Sequence, residues 1–170
     1  MLETPTIIKI APQLTAAIRL CVPWAQMREV MGPGLAELHA AVNAQGIAVT
    51  GPWFNHHLRM PTDTFDFEIC LPVASPVLPI GRVAAGEIPA TTVARTVYRG
   101  AYDGLGKAWG EFEAWISAEG HERAQDFWEC YLSGPESDPD PASFRTQLNR
   151  PLTSVSPGEA IPKPRAGPRA

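Results

Sequence analysis

FDFEICLPV at residues 65–73 is echoed by FRTQLNRPL at 144–152, each with proline in eighth place. Working outward from this pair, the rest of the chain falls into register. PWFNHH at 52–57 precedes the first member, and FWECYL at 127–132 precedes the second. Before each lies a helical stretch ending in glycine, at Gly46 and Gly120. Before the helices, PQLTAAIRL at 12–20 resembles PATTVARTV at 89–97. The chain is therefore written twice, over about residues 6–73 and 82–152, and each half reads strand(s), helix, strand, strand. Hairpins with helices on one side argue for an α+β fold. A tandem β-α-β-β duplication of this kind predicts one curved antiparallel sheet, two helices on one side of it and a cleft between the halves.

Spacings of three and four mark the helices. Trp24, Met27, Met31, Leu35, Leu38 and Val42 form one apolar face, and Leu105, Trp109, Phe112 and Ile116 form the other. Gly32-Pro33-Gly34 interrupts the first. Proline inside a helix removes a backbone bond and clashes with the preceding turn, so the main helix is expected to start near Pro33. Gly46 suits the left-handed position past a helix end. Residues 6–20 read as a strand pair or one bent strand, and 82–88 and 91–98 as two strands. MPTDT at 60–64 has turn residues. Residues 72–81 form a proline-rich bridge, and SGPESDPDPAS at 133–143 an exposed loop. One domain over 1–152 is expected, followed by a disordered Pro/Ala/Gly-rich tail over 153–170.

The composition is that of an ordinary globular chain, 45% hydrophobic and 19% charged over 170 residues, with enough apolar material for a core. Three cysteines, Cys21, Cys70 and Cys130, have no paired or metal-ligand spacing. Without a signal peptide they read as free thiols in a cytoplasmic protein. No apolar run is long enough to span a membrane. A net charge of −4 without a Lys/Arg cluster argues against direct nucleic-acid binding.

Side chains alternate across a strand, so Phe127, Glu129 and Tyr131 share one face and Trp128, Cys130 and Leu132 the other. An ionised acid on a packed face costs several kcal/mol unless paired, by the order of magnitude for buried ions. Glu129 therefore either pairs with Arg or Lys on a solvated face or lines a cavity, and the flanking rings favour a cavity. Aligning the copies pairs Trp53 with Trp128, Phe54 with Glu129 and His56 with Tyr131, which sends Phe54 and His56 toward the same cleft. A carboxylate among rings can hold a cation, each ring adding roughly 0.5–2 kcal/mol. It can also act as a general acid or base, with Tyr131 sharing the proton or holding the substrate. Tyr102 stands at the start of the second helix, pointing into the cleft or stapling the helix. Trp24 precedes the first helix and could cover the cleft mouth. Trp109 lies in the core register. Adjacent His56 and His57 point to opposite faces and nothing completes a metal site, so neither metal nor cofactor is expected.

TVYRGAYDGLGKAW (96–109), EAWISAEG (113–120), FWECYLSGP (127–135), DPASFRTQLNRPL (140–152) and FDFEICLPV (65–73) together resemble the GyrI-like small-molecule-binding domains. These are also the effector-binding parts of multidrug-sensing transcription activators. The resemblance covers about residues 6–152. It implies the duplicated fold with a ligand pocket between the halves, and a late-strand glutamate, here Glu129, that contacts amphipathic organic cations. Tyr131 and Tyr102 match aromatic pocket positions. Ala101 stands where the family usually has proline, and His56 where tyrosine is common. Some stand-alone members hydrolyse cyclopropane-bearing genotoxins with a pocket glutamate and tyrosine, and others are described as gyrase inhibitors.

Three functions follow as expectations. The first is a protein that sequesters or senses hydrophobic or cationic aromatic compounds. Glu129 is its anchor, and Phe54, His56, Tyr102, Phe127, Tyr131, Trp53 and Trp24 are wall candidates. The second is a small-molecule hydrolase in which Glu129 activates water and Tyr131 positions the electrophile. The third is a protein-binding inhibitor acting through its surface. A protein partner or a homodimer is left open.

Overall fold

A computed structural model describes residues 1–154. Nine strands and two α-helices follow in the order β1 (Thr6–Ile10), β2 (Gln13–Pro23), α1 (Met27–Ala44), β3 (Phe54–His57), β4 (Thr64–Pro72), β5 (Ala84–Ile88), β6 (Thr91–Arg99), α2 (Leu105–Ala118), β7 (Glu122–Arg123), β8 (Phe127–Ser133) and β9 (Arg145–Ser154). Eight strands make one antiparallel sheet in the order β1-β6-β9-β8-β3-β4-β2-β5, with β7 added beside β9. The sheet curls into a half-barrel. The halves meet at the β3–β8 pair in its centre, where Asn55 lies opposite Glu129 and His57 opposite Phe127.

The sheet edges are exchanged between the halves. β1 stands just before β2 in sequence but pairs with β6, and β5 stands just before β6 but pairs with β2. Each half thus lends an edge strand to the other, ten backbone-paired positions in all, and neither half completes its sheet alone. The opening segment is therefore two strands that pair with different neighbours rather than with each other.

Both helices lie on one face of the sheet. Leu38 and Val42 of α1 pack with Ile18, Phe67, Ile69 and Leu71. Trp109, Phe112 and Ile116 of α2 pack with Ala94, Phe127 and Leu148. Most of these side chains are fully buried, and each large one contributes about 1.5–3 kcal/mol from lost apolar surface. A smaller apolar cluster of Ala17, Phe54, Cys70, Ile88, Val93 and Trp128 occupies the other face.

Helix α1 runs unbroken through Pro33 instead of beginning there, behind a 3-10 turn over Trp24–Gln26. A single proline removes one backbone bond, and packing of the helix on β4 outweighs that loss. The contact is close: a Cβ at Gly34 would stand 2.5 Å from Ile69 Cδ1. Both helices end alike, with Gly46 at φ 64° and Gly120 at φ 74°. Thr153 and Ser154, expected in the tail, complete β9, and Ser154 pairs with Glu122. The rest of the expected tail, 155–170, lies outside the described residues. No described helix is long and apolar enough to cross a membrane.

Candidate functional site

The alternation of FWECYLS carries Phe127, Glu129 and Tyr131 on the helix-facing side of β8. Glu129 is buried, at 8% exposure. Three side chains meet its carboxylate. The indole Nε1 of Trp109, reaching down from α2, donates to Oε1 at 2.7 Å. The Tyr131 hydroxyl donates to Oε2 at 2.8 Å. His57 Nε2, from β3, lies 3.8 Å from the same oxygen. Asn55 Nδ2 in turn donates to the Tyr131 hydroxyl at 3.0 Å.

Burial alone disfavours the charged carboxylate. The hydrogen bond and charge of His57, then the Trp109 and Tyr131 donors, outweigh it and hold the Glu129 carboxyl below its ordinary value. Burial, then the adjacent Glu129 charge, pushes the Tyr131 phenol well above its ordinary value, so it stays protonated as a donor. Burial, then Glu136 and Glu129, raises Tyr102 as well. Among the described residues no Lys or Arg pairs with Glu129. The buried Arg150 on the same side is taken up by Glu113 of α2 at 3.3 Å and stands over the Phe127 ring.

Two chains of rings flank the acid. Trp53 stacks on Tyr131 at 4.2 Å, Tyr102 meets Tyr131 edge-on at 5.7 Å, and Phe144 lies against Tyr102 at 5.1 Å. On the other side Trp24 stacks on Phe65, Phe65 leans on His57, His57 stacks on Phe127 at 4.6 Å, and Phe127 meets Trp109. Met31 of α1 reaches Asn55 from above, its sulfur 3.7 Å from Nδ2. Asn55 Oδ1 and His57 Nδ1 are buried without a hydrogen-bond partner among the described residues. Unpaired buried polar atoms are uncommon in folded proteins; Glu113, Arg145, Thr146 and Arg150 carry others.

The structure brings Glu129, Tyr131, Phe127, Trp53 and Tyr102 to one side of the sheet. Trp24 is 67% exposed and touches this assembly through Phe65. Phe54 and His56 do not join it. The register places Phe54 beside Cys130 and His56 beside Trp128, on the opposite face. Aligning the copies one residue out of step caused this, because a slip of one flips every side chain of a strand. Asn55 and His57 take their places. His56 instead lies between Asp126, 2.9 Å from Nε2, and Glu68, 3.5 Å from Nδ1. Burial opposes its charge, but these carboxylates outweigh burial and raise its pKa to about 9.

Sequence reasoning also passed over Trp109, Phe65 and Phe144. Trp109 carried a usable signal: a buried indole N–H usually finds a partner, and one helix face away stood a lone acid.

A model of the GyrI-like small molecule binding domain matches residues 3–152. The chain belongs to this family. Among solved structures, the C-terminal domain of EcmrR superposes with a TM-score of 0.80 at 22% identity, over 89% of this chain and 98% of that one. EcmrR in its DNA complex within EcmrR-RPo gives 0.79 at 21% identity, over 89% of this chain and 58% of that one. The GyrI-like chain thus spans less than two thirds of that longer relative. SAV2435, solved bound to tetraphenylphosphonium, gives 0.62 at 11% identity, over 89% and 94%. These likenesses establish the shared fold. No curated protein sequence matches the chain. Among the described residues no group of three or more His, Cys, Asp or Glu is placed to hold a metal.

Proposed function

We propose that the chain captures hydrophobic or cationic aromatic compounds over Glu129, as a sequestering or sensing protein. One observation carries this reading: a buried carboxylate, kept charged by an indole, a phenol and a histidine, has no guanidinium or ammonium partner among the described residues. A cation adds a full positive charge beside the carboxylate, and Trp53, Tyr131 and Tyr102 offer ring faces and edges to its apolar body. At an effective dielectric of about 20, one such charge pair at 4 Å is worth about 4 kcal/mol before desolvation. That SAV2435, a protein of the same fold, was solved with tetraphenylphosphonium supports the ligand class.

A hydrolytic reading rests on the Tyr131–Glu129 hydrogen bond. The acid's lowered pKa makes it a weaker proton acceptor, which favours binding over proton abstraction. The test is a titration by tryptophan fluorescence with tetraphenylphosphonium and with neutral triphenylphosphine oxide. Glu129→Gln should weaken the cation at least tenfold and leave the neutral compound within twofold. Equal losses for both would overturn the reading. Ligands recovered chemically altered from the wild-type protein, but intact from Glu129→Gln, would replace it with hydrolysis.

A further inference from the structure

The face of the sheet away from both helices holds a concavity of about 300 Å³. Phe54, Trp128, Ile88 and Ile10 supply apolar wall, Leu132 stands at its rim, and Arg95 of β6 supplies one charge. Arg95 donates from Nε to Asn149 Oδ1 at 2.6 Å. That is its one side-chain hydrogen bond among the described residues, and no carboxylate there pairs with it. The half-buried Cys130 lies in the same wall. Burial pushes its thiol up to about 12, so at neutral pH it does not neutralise the guanidinium. The Nη groups keep their charge and donors for something else.

The duplication makes this asymmetry visible. In the second half Arg95, Asn149 and Trp128 form a row across β6, β9 and β8. The equivalent row in the first half, across β2, β4 and β3, is Ala17, Cys70 and Phe54. One copy is charged and polar and the other apolar, and the rows converge on the cavity through Trp128 and Phe54. A concavity with a free guanidinium at one end and hydrocarbon at the other matches a ligand with the same polarity. The planar fork of arginine suits an oxyanion held through two parallel bonds.

We propose that this concavity is a second ligand site, for an organic anion. Its carboxylate or sulfonate meets Arg95, and its apolar body lies against Phe54, Ile88 and Trp128. The domain would then hold sites of opposite charge preference on the two faces of one sheet, with Glu129 and Trp128, neighbours on β8, serving one each.

The probe is 1-anilinonaphthalene-8-sulfonate, an aromatic monoanion that brightens in apolar surroundings. One saturable site per chain is expected, displaced by octanoate but not by octylamine, tetraphenylphosphonium or inorganic phosphate. Arg95→Gln should weaken the probe at least tenfold. Leu132→Glu, at a rim position 38% exposed, should weaken it several-fold with the unfolding midpoint unchanged; it alone decides if Arg95→Gln does not fold. Unchanged affinity in the folded variants overturns the proposal. Competitive displacement by tetraphenylphosphonium, or loss of the probe in Glu129→Gln, would assign it to the Glu129 side of the sheet and also overturn the proposal. Displacement by phosphate as effective as by octanoate would reduce the site to a bare anion contact.

Discussion

Asn55 and Glu129 face each other across the β3–β8 seam, and the Tyr131 hydroxyl links them, accepting from Asn55 at 3.0 Å and donating to Glu129 at 2.8 Å. The two residues come from different copies of the duplicated unit. The candidate site therefore lies where the copies are joined, and the first copy contributes a neutral amide where the second contributes the carboxylate. Two carboxylates at this seam would repel in a buried setting. One acid and one amide leave a single negative charge at the seam, with His57 Nε2 3.8 Å from it.

Tyr131→Phe removes the link. Glu129 loses one donor, and Asn55 Nδ2 keeps only its long contact to the Met31 sulfur. Leaving buried polar groups short of partners costs about 1–3 kcal/mol. For a domain of this size that lowers the unfolding midpoint by about 2–4 °C per kcal/mol. Calorimetry on the variant should show a drop of a few degrees. An unchanged midpoint would mean that solvent satisfies Glu129 and Asn55 in its place.

Trp109→Phe keeps a ring against Phe112 and Phe127 but deletes the indole donor. Glu129 has its folded-state pKa below the ordinary value of 4.5. Its contribution to stability is thus fully present above that ordinary value and is lost as pH falls through the folded one. Without the indole the folded value rises toward the ordinary one, so the contribution shrinks and less stability stands against acid. Acid unfolding followed by circular dichroism should move upward in pH relative to wild type. A midpoint that stays in place would show that His57 and Tyr131 suffice.

His56 works in the opposite direction. Its pKa rises from 6.5 to about 9 in the folded protein, through Asp126 and Glu68 against the cost of burial. The stabilisation it provides is fully present below pH 6.5 and is lost as pH climbs through about 9. The shift corresponds to a few kcal/mol, on the order of 3. Urea midpoints should fall between pH 6.5 and 9 in the wild type and stay nearly level in His56→Gln. Parallel curves for the two proteins would remove His56 as the source.

The fold was legible because three of the four repeated segments keep recognisable residues, down to Pro72 and Pro151 on the matching strands. Those prolines pair with Thr15 and Val93, which shows that the alignment of 12–20 on 89–97, placing Thr15 on Thr92, ran one residue out of step. The exchange of β1 and β5 was not legible, since pairing between distant strands leaves no local mark in the chain. The site was half legible. Glu129 and its strand neighbours followed from alternation within β8 alone. Their partners on β3 required the register between copies, and FNHH (54–57) shares too little with its equivalent WECY (128–131) to fix it. Trp109 was placed correctly in the core by helical spacing, but spacing says nothing about where an indole nitrogen points.

Gly134 gives a handle on the wall of the site that leaves its chemistry alone. It follows β8, and a Cβ there would stand 2.5 Å from the Tyr102 hydroxyl. Its φ lies outside the left-handed range, so alanine meets no backbone strain; the clash falls chiefly on the tyrosine, and the Glu136 carboxylate, at 3.1 and 3.3 Å, gives way by a few tenths of an ångström. The ring must swing away from its edge-on contact with Tyr131, which disturbs the rings above Glu129. Gly134→Ala should weaken tetraphenylphosphonium several-fold while moving the unfolding midpoint by no more than about 2–4 °C, equivalent to about 1 kcal/mol. Tyr102→Phe in the same chain removes the atom that clashes, and the double variant should recover most of the lost affinity. If the double variant binds as poorly as Gly134→Ala alone, the position of Tyr102 does not set the affinity, and the wall runs through Trp53 and Tyr131 only.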